Sequence, residues 1–208
     1  GHTVRPPVPS LVSLVAQGGE CRRMMGLALK NVGLTLYQDG KSIFQEQGEA
    51  LFTHFGLSGP LVLSASAHLG DLAKHRYEVG FDLKPALSHE QLYARLNRDL
   101  TALANRDAAN CLVKLLPASM QPVMVERWGV DPAMKDFRIR IRDRGDLEHA
   151  VITSGGVAVK EVDPRTMASK KCPGLYFAGE VLDVDAYTGG YNLQIAWCTA
   201  QAAARGLA

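Results

Sequence analysis

The stretch that decides the fold is Gly174-Leu175-Tyr176-Phe177-Ala178-Gly179-Glu180, close to the end of a chain of 208 residues. Its small and apolar residues predict a buried strand, and the glycine near its end would let a ligand approach the backbone closely. Glu180 would then stand at the carboxyl end of the strand, where open α/β sheets bind their ligands. An ordinary buried strand followed by a surface acid explains the same residues, so this motif alone leaves both interpretations open.

A second motif, Thr188-Gly189-Gly190-Tyr191-Asn192, comes directly before a predicted apolar helix over residues 193–204. Two glycines before a helix leave its first N–H groups exposed. Together with the helix dipole, these groups suit an anion or an electron-rich carbonyl. A reduced flavin carries such charge around its N1 atom and C2 carbonyl. The alternative is a tight turn before a core helix, because Leu193, Ala196 and Trp197 occupy packing positions, and the two interpretations are compatible.

The composition gives weak indications of partner and compartment. The 23 basic and 21 acidic residues give a net charge of +2, too small to indicate a nucleic-acid or membrane partner by itself. The four cysteines and six histidines form no C-x-x-C pair or ligand-spaced cluster, so we expect no metal and a reduced, cytoplasmic protein. No apolar run approaches the ~20 residues of a membrane span. The first residue is Gly1 rather than methionine, which predicts that the chain begins inside a longer protein.

Residues 6–83 are predicted to be rich in β structure. Apolar residues alternate with polar or small ones around Val32, as in a half-buried strand. Asp39-Gly40 predicts a hairpin turn, because both positions tolerate a positive φ. A helix is predicted to begin at Ser58-Gly59-Pro60, with Ser58 as the N-cap and the proline in the first turn. Further strands are expected over residues 41–47, 50–55 and 77–83.

Residues 85–134 change to helical patterns. Ser88-His89-Glu90-Gln91 forms a capping box, and leucines follow it at helical spacing. Because helices this short need one another to form a core, we expect a compact helical subdomain. The other predicted helices cover residues 107–116 and 118–128, Gly129 ends the second of them, Asp131-Pro132 begins a turn, and β structure returns over residues 137–142 and 147–153.

Several motifs occur in an order that resembles the HI0933-like (YhiN- or BaiN-like) flavoproteins, and the resemblance spans essentially the whole chain. The two motifs described first belong to this set. The others are Pro9-Ser10-Leu11-Val12, Leu51-Phe52-Thr53-His54-Phe55-Gly56-Leu57-Ser58-Gly59-Pro60, Thr153-Ser154-Gly155-Gly156-Val157, Glu161-Val162-Asp163, Thr166-Met167-Ala168-Ser169-Lys170 and Val184-Asp185.

The resemblance implies an α+β chain with three parts. These are a β-rich insert domain over residues 1–84 and 136–150, a helical subdomain over 85–135, and the C-terminal part of a Rossmann-like FAD-binding domain over 151–208. Such a domain also needs a G-x-G-x-x-G turn from its N-terminal part, and this sequence contains none. We therefore expect FAD-dependent, NAD(P)H-linked hydride transfer by the intact protein, and no retention of FAD by this fragment alone.

The resemblance also implies which residues surround the flavin. The backbone N–H groups of Asn192 and Leu193 are expected to stabilise the reduced ring, and Glu180 is expected to bind the ribityl or phosphate region. The full expected set is Gly155, Gly156, Gly179, Glu180, Asn192 and Leu193. The substrate, a small molecule or RNA, is left open.

Thr53 and His54 are candidate catalytic residues. They come at the end of a predicted strand before a glycine-rich turn, and histidine suits proton transfer near neutral pH. Because His54 lies between Phe52 and Phe55, a hydrogen-bonded core histidine is the simpler interpretation.

Arg138, Arg140 and Arg142 fall on one face of a predicted strand. Such a stripe could hold a phosphate-bearing substrate or RNA, but few aromatic residues accompany it, so a solvated edge strand is the favoured interpretation. Two alternatives stay open. One is an RNA- or partner-recognising module of a flavoenzyme, and the other is a non-catalytic structural fragment that forms a homodimer through its exposed half-domain surface.

Overall fold

The computed structural model describes residues 1–102, 112, 115–128 and 134–207. The strands there are β1 (Val4–Ser10), β2 (Leu14–Ala16), β3 (Ala28–Gln38), β4 (Lys41–Phe52), β5 (Gly56–Ser58), β6 (Tyr77–Asp82), β7 (Phe137–Arg144) and β8 (Ile152–Val157). The α-helices are α1 (Glu20–Arg23), α2 (Pro60–Ser66), α3 (His89–Ala102), α4 (Gln121–Trp128) and α5 (Tyr191–Leu207). Short 3-10 helices cover Leu147–His149, Val159–Glu161 and Gly179–Val181.

The chain divides into two compact units. One unit holds Gly1–Val12 with Gly145–Ala208, and the other holds Ser13–Arg144. This division differs from the predicted boundaries at the start of the chain, where the sequence places residues 1–12 in the β-rich domain. Those residues join the C-terminal unit because β1 pairs with β8 in an antiparallel sheet.

The unit formed by Ser13–Arg144 is built on a closed six-stranded barrel in the order β2-β5-β4-β3-β6-β7. Alternation of apolar and polar residues explains the barrel, since one set of side chains faces inward and the other faces solvent. The strand predicted around Val32 is present, and Leu34, Phe81 and Ile139 lie in the buried core. The Asp39-Gly40 hairpin is also present, with φ values of 51° and 82° at the two residues.

Two local predictions in the barrel are corrected. The strands expected over residues 41–47 and 50–55 are one continuous strand, β4, which ends at Phe52. Ser58 does not cap α2, because it closes β5 and its hydroxyl accepts a hydrogen bond of 2.8 Å from Ser13. Gly59 is the N-cap instead, with Pro60 in the first turn as expected.

The helices between β6 and β7 pack against the barrel. The capping box before α3 is confirmed, because the Ser88 hydroxyl accepts the Gln91 N–H at 3.1 Å and the Gln91 side-chain oxygen accepts the Ser88 N–H at 3.0 Å. The predicted third helix begins three residues later, at Gln121. Apolar residues from the described part of this segment share one core with the barrel. Most of the helix predicted over residues 107–116, together with Gly129 and Asp131-Pro132, lies outside the described residues.

The C-terminal unit contains the two-stranded sheet, the 3-10 helices and α5. The buried strand predicted over residues 174–179 is absent, and only Tyr176 forms a bridge, with Ala168. A buried strand needs a hydrogen-bonded neighbour along its length, but here the pairing is short: the Ser169 N–H donates to the Leu175 carbonyl at 2.7 Å and the Phe177 N–H donates to the Met167 carbonyl at 3.0 Å. The strand predicted over 147–153 is likewise shifted, because Leu147–His149 is a 3-10 helix and β8 begins only at Ile152.

Candidate functional site

Gly155 and Gly156 are required by the internal packing of the C-terminal unit. Both have positive φ, 108° and 124°. A Cβ atom on Gly155 would lie 2.6 Å from the carbonyl oxygen of Pro6, and one on Gly156 would lie 2.5 Å from that of Val181. Their smallness is therefore explained by contacts with the protein's own backbone, and it does not by itself indicate a ligand.

Gly179 connects the 3-10 helix Gly179–Val181 to α5. Its φ is 70°, and its N–H donates a hydrogen bond of 2.9 Å to the Thr199 hydroxyl. A Cβ atom at this position would come within 3.5 Å of Ala196. Thr199 is a positioning residue that sequence reasoning missed, although a threonine within an apolar helical run was a detectable signal. Glu180 follows with an exposed side chain.

The glycine pair before α5 has open space around it. A Cβ atom on Gly190 would meet nothing within 4 Å, and one on Gly189 would meet only the neighbouring Tyr191 ring. Both have positive φ, 109° at Gly189 and 89° at Gly190. Close approach of a second molecule to the backbone is therefore sterically allowed at this point, in contrast to Gly155 and Gly156.

The first turn of α5 presents backbone donors. The first hydrogen bond of the helix runs from the Gln194 N–H to the Gly190 carbonyl at 3.0 Å, so the N–H groups of Asn192 and Leu193 precede the helical ladder. The Asn192 side chain fixes the preceding loop, because it accepts from the Ala186 N–H at 2.8 Å and donates to the Ala186 carbonyl at 2.7 Å. Asn192 can therefore offer a ligand its backbone while its side chain holds the loop in place.

These residues fit the pyrimidine end of a flavin. An electron-rich carbonyl needs hydrogen-bond donors and room for close approach, and the open glycine pair and the first turn of α5 supply both. The 3-10 helix Gly179–Val181 lies between two of the predicted elements, because Val181 packs against Gly156 and Gly179 packs against Ala196 of α5. The side chain of Leu193 is 78% exposed and that of Trp197 is 68% exposed, so α5 leaves an apolar face uncovered in the described chain.

A polar cluster that the sequence analysis did not identify lies in the same unit. Glu161 accepts hydrogen bonds from the Lys171 ammonium at 2.6 Å and from the N–H and hydroxyl of Thr3 at 2.9 and 2.8 Å. These donors, led by Lys171, lower the pKa of Glu161 from 4.5 to about 2. His2 lies between Glu161 and Ser169, with its ring nitrogens 3.0 and 2.8 Å from their oxygens.

Ser169, His2 and Glu161 are the residue types of a hydrolytic serine–histidine–acid triad. The Ser169 oxygen, however, already accepts two backbone hydrogen bonds. It accepts the N–H groups of Lys171 at 3.0 Å and Cys172 at 2.8 Å, which fix a turn. The cluster therefore connects the first residues of the chain to residues 161–172 and acts as a structural tie. Separations of more than 150 residues explain why local sequence patterns did not reveal it.

The structure places Thr53 and His54 in a surface turn of the barrel unit. The Thr53 hydroxyl accepts the Gly56 N–H at 3.0 Å, and the Thr53 N–H donates to the Gly56 carbonyl at 2.8 Å. The expectation of a core position for His54 is wrong, because its side chain is exposed and its ring meets Phe55 edge-on at 4.9 Å. Thr53 stabilises the turn through these two hydrogen bonds. A catalytic role for Thr53 or His54 stays a prediction.

The arginine stripe does not lie on an edge strand. β7 pairs with β6 on one side and with β2 on the other, so the strand that carries Arg138, Arg140 and Arg142 lies inside the closed barrel wall. The interpretation that these charges protect an exposed edge is therefore wrong. The side chains of Arg140 and Arg142 face solvent, and Arg138 is half-buried.

Other kinds of site receive little support. Among the described residues, no three histidine, cysteine or acidic side chains group to hold a metal ion, and no helix has the length and apolar character to cross a membrane. Burial raises the pKa of the Cys21 thiol to about 12, so this cysteine stays protonated. The described cysteines Cys21, Cys172 and Cys198 are free thiols.

Comparison with known proteins identifies the family. The chain matches the HI0933-like protein Rossmann domain over residues 1–206. It is 30% identical to the 3-dehydro-bile acid delta(4,6)-reductase of Clostridium scindens, and the match covers the whole chain and 55% of that protein. It is 32% identical to a ribosomal RNA dihydrouridine synthase of Escherichia coli, over 90% of the chain and 48% of the relative. A Haemophilus influenzae protein of the same name is 33% identical, over 79% and 43%.

The chain thus spans about half the length of the curated relatives that it matches. The motif-based resemblance is confirmed. The chain belongs to the HI0933-like family of flavoproteins.

Proposed function

We propose that the intact protein is an FAD-dependent oxidoreductase that is reduced by NADH or NADPH and passes hydride to a small-molecule or RNA substrate. The observation that carries this proposal is the open glycine pair Gly189-Gly190 before α5. FAD supplies the hydride chemistry when it is bound, and the protein supplies position and charge. The reductase among the relatives supports the reaction class.

The residues of this chain have separate roles in the proposed site. The N–H groups of Asn192 and Leu193 hold the pyrimidine carbonyl of the flavin and favour its reduced, electron-rich form. The exposed carboxylate of Glu180 accepts hydrogen bonds from ribityl hydroxyls, directly or through water. Gly155 and Gly156 shape the backbone behind the site through their contacts with Pro6 and Val181.

The proposal includes a division of the FAD site between this chain and the other half of the protein. The described C-terminal unit holds one two-stranded sheet and one long helix, whereas a dinucleotide fold needs a parallel sheet and a glycine-rich phosphate turn. Relatives of about twice this length have room for those parts. The 208-residue chain alone should therefore bind FAD weakly or not at all.

The test is a flavin-binding and reduction assay on the intact protein. We expect it to purify with a flavin absorbance spectrum that bleaches when NADH or NADPH is added without oxygen. A colourless protein that does not take up added FAD would overturn the proposal. Bleaching by one nicotinamide and not the other would identify the reductant.

Gly190→Val in the intact protein tests whether the open glycine pair before α5 is needed for FAD binding. Gly174→Val is its matched control. Both glycines have positive φ, 89° and 80°, and both have open space where a Cβ would lie, so the backbone strain of the two variants is similar. Gly190→Val should lose FAD, while Gly174→Val should retain it. Equal retention by both variants would remove the glycine pair from the site.

A second candidate function is recognition of RNA by the barrel unit. Two relatives are named ribosomal RNA dihydrouridine synthases. Because β7 is paired on both sides, protection of an exposed strand edge does not explain its arginines. In this alternative the flavin chemistry acts on RNA that the barrel holds. Binding of RNA by the barrel unit can be measured without any flavin, so the two candidate functions are tested separately.

A further inference from the structure

Two sequence motifs without a role in the proposed flavin site meet in the C-terminal unit. They are Pro9-Ser10-Leu11-Val12, at the end of β1, and Val184-Asp185, in the segment that leads to α5. The Ser10 hydroxyl donates a hydrogen bond of 2.8 Å to Oδ2 of Asp185, across 175 positions of the chain. Because a hydrogen bond to a carboxylate is stronger than one between neutral groups, this contact ties the two motifs firmly together.

The donor of this hydrogen bond is held in a fixed position. Ser10 is the last residue of β1, pairs with Ile152 of β8 and is only 2% exposed. The next residue, Leu11, has a positive φ of 49°, which is a strained conformation for a leucine, and its side chain is buried. The sheet on one side and the packing of Leu11 on the other therefore fix the Ser10 hydroxyl.

The acceptor, Asp185, lies between two anchored stretches of chain and is half-buried. On its N-terminal side, the Asp183 N–H donates to the Val157 carbonyl at 2.8 Å, so this segment follows the end of β8. On its C-terminal side, Ala186 exchanges two hydrogen bonds with the Asn192 side chain, of 2.8 and 2.7 Å. Asp185 therefore connects the two-stranded sheet to the first turn of α5.

Side-chain hydrogen bonds hold both ends of α5. At the C-terminal end, the Tyr176 hydroxyl donates to the Gly206 carbonyl at 3.0 Å. At the N-terminal end, the link runs from Asn192 through Ala186 to Asp185. Because no residue of α5 is fully buried, these polar links contribute much of what sets the position of each end.

We propose that Ser10 and Asp185 are positioning residues for flavin binding, which act through the loop before α5. The inference rests on the proposed function and assigns two further residues to the same site. The Ser10–Asp185 hydrogen bond fixes the start of the loop that carries Gly189-Gly190, and with it the direction of the first N–H groups of α5. Those groups stabilise an electron-rich carbonyl only when they point at it, since a hydrogen bond weakens steeply with its angle.

The test compares Ser10→Ala in the intact protein with Tyr176→Phe as its matched control. Each substitution removes one hydroxyl donor from the same unit, the first at the start of the loop before α5 and the second at the far end of the helix. Ser10→Ala should weaken FAD binding roughly tenfold and make the flavin reduction potential more negative, because the reduced ring loses aligned donors. Tyr176→Phe should change the FAD affinity by less than about twofold and leave the potential unchanged.

Two variants of the acceptor provide a rescue experiment. Asp185→Ala removes the acceptor and should match Ser10→Ala in FAD affinity and potential. Asp185→Asn keeps a side-chain oxygen that can accept the Ser10 hydroxyl, so it should recover most of the affinity. Where Ser10→Ala does not fold, this pair carries the test, and equal FAD affinities of Asp185→Ala and Asp185→Asn would overturn the proposal.

Hydrogen exchange of the intact protein without FAD gives a second measurement, which does not depend on flavin chemistry. The Ala186 N–H donates to the Asn192 side chain, so its exchange reports whether the loop is held in place. It should exchange faster in Ser10→Ala than in the unsubstituted protein or in Tyr176→Phe.

The outcomes separate the positioning role from the flavin site itself. If the unsubstituted protein binds FAD, and Ser10→Ala retains the same affinity and potential or Tyr176→Phe loses as much, the positioning role is overturned and the proposed function stands. If the unsubstituted protein takes up no FAD, both are overturned.

Discussion

The large apolar side chains of the barrel are buried, whereas those of α5 in the C-terminal unit are exposed. In the barrel, Phe52, Phe81 and Phe137 are fully buried and their rings meet within 6.4 Å of one another. In the C-terminal unit, no residue of α5 is buried, and Leu193 and Trp197 are largely exposed. The barrel closes its core with residues of this chain, whereas the apolar face of α5 is suited to a partner. A buried core and an open face predict different responses to substitution.

The largest expected difference comes from truncating one aromatic residue in each unit. Phe81→Ala should lower the free energy of unfolding by about 3–5 kcal/mol, because it opens a cavity among fully buried rings. Trp197→Ala should change it by about 0.5 kcal/mol or less, because the side chain is already exposed. Urea denaturation of both variants measures the difference. A cost at Trp197 equal to that at Phe81 would show that α5 is covered within the 208-residue chain.

The next largest effect is expected at Lys135, whose largely buried ammonium group has a hydrogen-bond acceptor for each of its three N–H groups. Lys135→Met should cost about 2–3 kcal/mol, since it leaves Asp82 and two backbone carbonyls without their donor. The double variant Lys135→Met/Asp82→Asn should recover part of the loss, because the carboxylate charge is then absent. Urea denaturation again provides the measurement. Additive costs in the double variant would mean that the two residues do not act as a pair.

The same contrast explains how much could be predicted from sequence. The barrel hairpin at Asp39-Gly40 and the capping box at Ser88 depend on residues close together in the chain, so their patterns were sufficient. The strand predicted over residues 174–179 depends on a neighbouring strand, and residues 167–169 pair only with its middle. Sequence patterns give the tendency to form a strand but not the partner that satisfies its backbone.

The candidate site shows the same limit at the level of single residues. The open glycine pair before α5 could be recognised because glycines and helix starts are local signals. Gly155 and Gly156 look equivalent to that pair in sequence, yet the space beside them is filled by the backbone of Pro6 and Val181. The tie between His2 and Glu161 joins residues more than 150 positions apart, and the edge assignment of β7 required the strand order. Each of these depends on tertiary contacts.

A smaller effect on stability is expected from the polar cluster around Glu161, and it should depend on pH. The pKa of Glu161 is lowered in the folded protein from 4.5 to about 2, so its contribution to stability is complete above pH 4.5 and is lost as the pH falls towards 2. Glu161→Gln should therefore lower the thermal midpoint at neutral pH, and the difference from the unsubstituted chain should shrink between pH 4.5 and 2.

Glu148→Gln provides the control for this pH series, because it removes an exposed carboxylate of the same unit that lies outside the cluster. Its midpoint should follow that of the unsubstituted chain across the range. A difference for Glu161→Gln that is constant with pH would show that the carboxylate charge is not what stabilises the tie between residues 1–3 and 161–172.

The smallest effect on folding, and a clear one on assembly, is expected from placing a charge on the apolar face of α5. Leu193, Trp197, Ala200, Ala204 and Leu207 recur at helical spacing and are all exposed, so we propose that the 208-residue chain self-associates through this face. Trp197→Glu should shift the chain towards the monomer in size-exclusion chromatography with light scattering, with little change in unfolding. Gln17→Glu, which adds the same charge at an exposed position outside α5, should leave the assembly unchanged. If the unsubstituted chain is a monomer, self-association is ruled out. If the Trp197→Glu variant remains a dimer, the interface does not involve α5.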